Sequence, residues 1–405
     1  MGNSSTNRNG AKDKSDGVRI LSWSDTGSVL FLTLIFFVNF VSRIIFAPFF
    51  PTIERELGIS HGQAGSFFFL ISLGYVAALM GSGFFSARLT HRKTIVFSSA
   101  CVGCVLLGLS VTKNLWAIAL GLLGLGMAAG LYLPSAVAAI ASLVDRKHWG
   151  KAIAVHELAP NLGFLSAPLL AELFLRWFTW RTALAALGAT SVIVSLAFVR
   201  YGRGGDFPGE SPASGSFRTL LGERSFWLLM ILFGLGVSST LGIFGMLPLY
   251  LVSERGMNHS RANALIALSR FSGPFLGVFG GWVSDKLGPR LTMAVSLFFT
   301  GVATLLLGPT PTSWIGVVVF IQPLLAVWFF PACFAALAMI TSAHARNLAI
   351  SFAVPIGFVL GGGAIPTLIG VLGDAGSFAL GFTLVGGLIL SGAALALYVR
   401  IPDRR

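Results

Sequence analysis

Apolar runs of about 20 residues, the length needed to cross a bilayer as a helix, follow one another along most of the chain, separated by short polar stretches. The pattern predicts twelve spans at 27–50, 62–86, 94–112, 115–143, 152–174, 182–200, 226–252, 263–283, 291–310, 313–341, 348–373 and 378–400. Residues 1–26 are polar and rich in Gly, Ser and Asn, and are expected to form a disordered tail, with residues 401–405 a second, shorter tail. The first apolar run is too long, and too poor in flanking cleavage features, for a removed signal peptide. The fold class expected is an all-α polytopic membrane protein.

The pattern repeats at about half the chain length. GFFSARLTHRK from Gly83 matches GWVSDKLGPR from Gly281, and Pro134 matches Pro331. Pro48 in span 1 pairs with Pro248 in span 7, and Pro160 in span 5 with Pro355 in span 11. Two pseudo-symmetric six-helix bundles follow, at 27–200 and 226–400. The stretch 201–225, rich in Gly, Pro and Ser, is expected to be a flexible linker between them. Two such halves in parallel orientation are the architecture with which transporters expose a central site to each side in turn.

Composition agrees with the membrane reading. The chain is 55% hydrophobic and only 11% charged, with a mean hydropathy of +0.83, against roughly 25% charged in soluble domains. The formal net charge of +13 is mostly topological. With the N-terminus inside, 20 of the 28 Lys and Arg residues fall on inner segments and 6 on outer ones, so both termini are expected to be cytoplasmic. Nucleic acid is therefore an unnecessary partner, and the lipid bilayer is the expected one. Trp116, Trp149, Trp177, Trp180, Trp227 and Trp314 lie near span ends, where amphipathic rings anchor at the headgroups. Cys101, Cys104 and Cys333 lie inside spans, and the lone CxxC lacks a second pair or a His, so neither a disulfide framework nor a metal is expected.

Gly281, Asp285, Lys286, Gly288 and Arg290 fit the Gly-x-x-x-Asp-Arg/Lys-x-Gly-x-Arg/Lys pattern that major facilitator superfamily transporters carry between helices 2 and 3 and between helices 8 and 9. The chain resembles that superfamily over all twelve spans. The resemblance implies alternating access, with these loops forming a cytoplasmic latch. In the first copy Gly83, Arg88 and Arg92 keep their places, but Ala87 replaces the acid and Thr90 the second glycine. A weaker resemblance links span 1, with its Arg43, to the anion-cation symporter branch, although Ser42 stands where that branch has an acid.

Four ionisable residues lie deep in the spans: Arg43, His156, Glu157 and Arg270. At a rise of about 1.5 Å per residue, Arg43 lies ~24 Å from the inner edge and Arg270 ~10 Å from the outer edge. In a core of about 30 Å these depths nearly coincide. A guanidinium in lipid is expensive and needs a cavity or a partner, and its planar fork fits carboxylate, sulfonate or phosphate. The two arginines come one from each bundle, so they are expected to hold an anion between the halves. Asn39 shares the face of Arg43, and Tyr132, Gln322, Trp328, Ser238, Ser239 and Thr240 are further polar or aromatic candidates for the same cavity. The bland reading is that such groups bond within the bundle.

Glu157, ~8 Å inside the cytoplasmic edge, is the expected proton carrier, with His156 beside it but ~100° away around the helix. Pro160 deprives the carbonyl of His156 of its helical partner and predicts a bend there. An interhelical salt bridge is the competing use for Glu157. Gly361, Gly362 and Gly363 mark a close-packed or flexible point in span 11. No nucleotide loop and no nucleophile–base set occurs, so neither an enzyme nor a cofactor is expected. The leading expectation is a monomeric, proton-coupled transporter of a small organic anion, a carboxylate first of all, in the cytoplasmic or plasma membrane. Efflux of amphipathic compounds is the second reading, and a sensor that kept the fold but lost transport is the third.

Overall fold

The computed structural model describes residues 23–209, 224–340 and 353–401. The greater part of the N-terminal tail, residues 210–223 of the linker, the start of span 11 and residues 402–405 lie outside the described residues. Eleven helices are long and apolar enough to cross a membrane: α1 Thr26–Leu57, α2 His61–Arg88, α3 His91–Val111, α4 Leu115–Leu143, α5 Trp149–Trp177, α6 Trp180–Tyr201, α7 Arg224–Glu254, α9 Pro289–Leu306, α10 Ile315–Ile340, α11 Ala353–Asp374 and α12 Phe378–Leu397. The twelfth, α8, is a pair of segments, His259–Gly277 and Phe279–Leu287, meeting at 46°.

The start of α1, the end of α6, the start of α7 and the chain end share one side of the molecule. Phe31 packs edge-on against Phe198, and the Ser225 hydroxyl donates to the Arg400 carbonyl. This is called the terminal side below, and the opposite one the distal side. Helix α1 runs seven residues past its expected end, because the polar Thr52-Ile-Glu-Arg-Glu stretch continues the helix beyond the apolar run. Gly58, at φ +65°, stops it.

Five spans are interrupted two to four residues before a proline, and α8 bends again, by 46°, at residue 278. The breaks fall at Ile45 before Pro48, Leu131 before Pro134, Glu157 before Pro160, Phe271–Ser272 before Pro274 and Val327–Trp328 before Pro331. A proline ring supplies no amide proton and crowds the carbonyl four residues back, so the chain turns at that point. Pro51, Pro168 and Pro323 sit inside helices without a break. Helices α7 and α11 carry π-helical segments at Ser238–Gly242, Tyr250–Glu254 and Phe358–Ala364. The Gly361–Gly363 run belongs to the last of these. A Cβ on Gly361 would meet the α7 backbone at Ser238 and Gly234, so the glycines let α7 and α11 touch.

The first part of the linker, residues 201–209, folds back on the first half. Gly204 and Gly205, at φ +82° and +78°, turn it back over the loop between α2 and α3. The Arg92 amide donates to the Gly205 carbonyl (2.8 Å), that of His91 to Phe207 (3.2 Å), and that of Gly209 to Ser86 (2.9 Å).

Among the described residues, the hydrogen bonds that join the two halves all lie toward the distal side. The Asp374 carboxylate accepts from Ser60, His61 and Gly62, and His259 bonds the Pro48 carbonyl at 2.7 Å. Gly65 and Gly370 let α2 and α11 meet backbone to backbone there. No hydrogen bond or ion pair joins the described residues of the halves at the terminal side.

Candidate functional site

Arg43 and Arg270 are 5% and 6% exposed, and each sits within two residues of a helix break. The Arg43 guanidinium lies 4.3 Å from the Tyr75 ring centroid, 5.2 Å from Phe40 and 5.9 Å from Phe358. Tyr75 is on α2, Phe40 on α1, and Phe358 opens the π segment of α11, so Arg43 reaches the opposite half. Arg270 mirrors it, 4.7 Å from Phe164 of α5 and 5.4 Å from Phe244 of α7. Among the described residues its only hydrogen bond is a long one, 3.4 Å, to the Thr240 carbonyl in the π segment of α7.

Neither arginine takes part in any of the ion pairs among the described residues, and both Nε atoms are buried without a hydrogen-bond partner. Cation–π contacts return about 0.5–2 kcal/mol each, three at Arg43 and two at Arg270, against the several kcal/mol that effective desolvation of a buried ion costs. Both sites are thus buried cations held by aromatic rings, with no acid partner among the described residues.

Two rings, Phe40 and Phe164, link Arg43 to Arg270. Phe40 packs edge-on against Phe164 at 5.1 Å. The three steps of 5.2, 5.1 and 4.7 Å bound the separation of the guanidinium carbons at about 15 Å. A small cavity of about 10 Å³ adjoins Arg43, with Ser72 and Tyr75 on one side and Leu241 and Phe358 on the other. That is room for about one water, so the space around Arg43 is closed down.

The other predicted polar residues make their hydrogen bonds within their own halves. The Asn39 amide donates to the Ala129 carbonyl on α4 (3.4 Å). Gln322 donates to the Ser239 carbonyl (2.7 Å) and the Thr304 hydroxyl (3.1 Å), which fixes the π segment of α7. Ser238 and Ser239 bond carbonyls of their own helix. The Trp328 ring nitrogen, at the α10 break, is buried without a partner.

Tyr132 and His156 form a second centre near the terminal side. His156 is fully buried and stacks on Phe36 at 4.5 Å. The Tyr132 hydroxyl donates to the Leu32 carbonyl at 2.6 Å and lies 3.2 Å from His156 Nε2. Its one proton is thereby committed, so Nε2 must be the N–H donor toward it. That leaves Nδ1, which has no hydrogen-bond partner and lies 3.5 Å from Glu157 Oε1. The two side chains do leave the helix in different directions, His156 inward and Glu157 to an exposed position. The break at Glu157 nevertheless brings their ends together.

In the loop between α8 and α9, Gly288 adopts φ +82°, a conformation that disfavours any side chain. Gly281 has space around it, while Asp285, Lys286 and Arg290 are exposed. Asp285 makes no ion pair with a described residue. In the other copy Arg88 is exposed, whereas Arg92 pairs with Asp206 of the linker at 3.3 Å and donates to the Val199 carbonyl at 2.9 Å. The acid missing at Ala87 thus has a substitute 114 residues from Arg92, which spacing within the loop gave no means of finding. Tyr75, Phe358 and Phe164 were hidden for another reason: an aromatic residue inside an apolar span carries no mark of the cation it faces.

This bundle of kinked helices, with its seam of buried cations, has the form of a membrane transporter. The sequence model described as Major Facilitator Superfamily matches residues 32–326 and again 271–405, and the chain belongs to that superfamily. It is 24% identical to the "Probable sulfoacetate transporter SauU" of Cupriavidus necator over 91% of this chain and 92% of that protein. It is also 23% identical to the "Uncharacterized MFS-type transporter YbcL" of Bacillus subtilis, over 76% and 78% of the two chains. Among solved structures, a bacterial homologue of the human lysosomal transporter Spinster, inward-facing and unoccupied, superposes with a TM-score of 0.83 at 16% identity, covering 93% of this chain and 97% of that one. A POT family transporter in complex with a thioalcohol-conjugated peptide superposes with a TM-score of 0.77 at 13% identity, covering 92% and 95%. The protein is an integral membrane transporter, not an enzyme.

Proposed function

We propose that the protein carries a small organic anion, a carboxylate or sulfonate, across the cytoplasmic membrane in symport with protons. The observation that carries this reading is the pair of buried arginines, one from each half, with no acid partner among the described residues. An anion entering between them supplies the missing charge, and because Arg43 touches Phe358 and Arg270 touches Phe164, it draws the halves together. The sulfoacetate named for the Cupriavidus necator relative is an anion of this kind. Glu157 and His156 share the coupling proton, and the Asp285 loop and its degenerate counterpart form the latch on the terminal side. That side is cytoplasmic on the distribution of Lys and Arg.

Asn39, Tyr132 and Gln322 support the site through the backbone contacts described above. The five rings of Phe40, Tyr75, Phe164, Phe244 and Phe358 favour a second reading, carriage of amphipathic compounds. Thermal stabilisation of the purified protein separates the two, because a ligand stabilises in proportion to its preference for the folded state. The panel holds mono- and dicarboxylates, sulfonates including sulfoacetate, phosphates and lipophilic drugs. Stabilisation by one anion class, lost in both Arg43→Gln and Arg270→Gln, is expected. Stabilisation by lipophilic compounds that survives both substitutions sinks the anion reading.

A further inference from the structure

On the distal side, the N-terminus of α2 is capped half by its own residues and half by the opposite bundle. The Ser60 amide donates to Gln63 Oε1 (3.0 Å), and the Gln63 amide to Ser60 Oγ (3.3 Å), a reciprocal capping box. The next two free amides do not find partners within the first half. His61 N–H and Gly62 N–H donate to the Asp374 carboxylate at the end of α11 (2.8 and 2.9 Å), and the Ser60 hydroxyl donates its proton to the same group (2.7 Å). One carboxylate thus takes three hydrogen bonds from a helix N-terminus, where the helix dipole favours negative charge.

Two further features serve this contact. A Cβ on Gly62 would fall 2.9 Å from the Asp374 carboxylate, so a larger residue there would have to displace the acid from the amides. The His61 ring, held by Glu54 at 2.9 Å, lies 4.7 Å from Phe378 of α12 across the seam. The other titratable groups facing this contact are Glu54 and His61. Glu254 of α7 makes a similar cap entirely within the second half, accepting from the amides of Phe378 and Ala379.

We propose that Asp374 is the latch of the distal gate: by capping α2 across the seam it holds the transporter shut on that side, and distal opening must break the cap. The latch is a property of the alternating-access cycle and is independent of which anion is carried. It sets the resting balance between the two facings, because every other hydrogen bond joining the described halves reduces to the single His259–Pro48 contact.

The test is a distance measurement by pulsed electron spin resonance on the full chain. Spin labels replace the exposed Lys113 and Trp314 in the distal loops of the two halves, and the native cysteines are changed to alanine. The unmodified latch is expected to give a dominant short-distance population and a minor longer one. Asp374→Asn keeps the shape but removes the charge, and the open-to-closed ratio should rise about tenfold, the scale of a lost charge-assisted cap. Gly62→Ala, which pushes the carboxylate away, should move the ratio in the same direction and decides the matter if Asp374→Asn is not monodisperse. Glu254→Gln removes an equivalent cap within one half and should leave the distances unchanged. Unaltered distances in both latch variants, or an equal shift in Glu254→Gln, overturns the proposal.

Discussion

Replacing Arg43 by methionine should make the empty protein more stable. The structure gives the terms. The side chain is 5% exposed, its Nε has no hydrogen-bond partner, and no carboxylate pairs with it among the described residues. An unsatisfied buried donor costs about 1–3 kcal/mol, and exchanging buried ionic groups for hydrophobic residues of similar volume often gains about 1–4 kcal/mol. Against this stand the cation–π contacts with Tyr75, Phe40 and Phe358 at 4.3, 5.2 and 5.9 Å, the nearest worth about 0.5–2 kcal/mol and the two longer ones less. Methionine fills a similar space and packs against aromatic rings without charge. The net expected is a gain of about 1 kcal/mol, a rise in Tm of roughly 1–2 °C when the per-domain scaling is carried to a chain of this length. Scanning fluorimetry in detergent, with no anion in the buffer, reads it directly. The same variant should lose stabilisation by anions, which for the parent protein reaches about 2.7 kcal/mol at a hundred times Kd. A fall of several degrees in the anion-free variant would refute the reasoning, since it would mean that the protein itself already satisfies the cation.

Further outcomes follow from other contacts. Glu157→Gln should abolish uptake driven by a proton gradient while leaving exchange of internal for external anion intact, because it removes the proton site and spares both arginines; proteoliposome uptake and counterflow assays compare the two. Phe164→Ala opens the aromatic partition between the arginines and should admit longer anions, read as a shift in the competition profile across chain lengths. Asp206→Asn breaks an exposed ion pair with Arg92, worth about 0.2–1 kcal/mol at most, so Tm should move by no more than about 1 °C. Gly65→Ala places a Cβ against the Pro366 backbone and should weaken distal closure, seen as increased labelling of cysteines introduced along that seam.

The sequence made some of this legible and hid the rest for physical reasons. Span positions follow from the length and hydropathy of local runs, a one-dimensional property, and the observed helices track them closely. Pro160 announced the break at Glu157, but Pro48, Pro134 and Pro331 were read only as marks of the repeat, and Pro274 was not singled out. Arg43 stood out because a charge in an apolar run is costly anywhere. Its surroundings did not stand out: Tyr75, Phe358 and Phe164 are aromatic residues among 35 Phe and 5 Tyr. Asp206 and Asp374 act on partners 114 and 312 residues away, and no local pattern encodes such a pairing. Glycine, proline and serine favour turns as readily as disorder, and in the linker Gly204 and Gly205 make a turn.

The central claim is that Arg43 and Arg270 hold one anion between the halves, and equilibrium binding of a radiolabelled anion from the stabilising class tests it most directly. The account predicts saturable binding of one anion per chain, weakened more than tenfold by either Arg43→Gln or Arg270→Gln, with the double variant little worse than each single one. Full binding retained in either single variant, with both proteins folded, would contradict it.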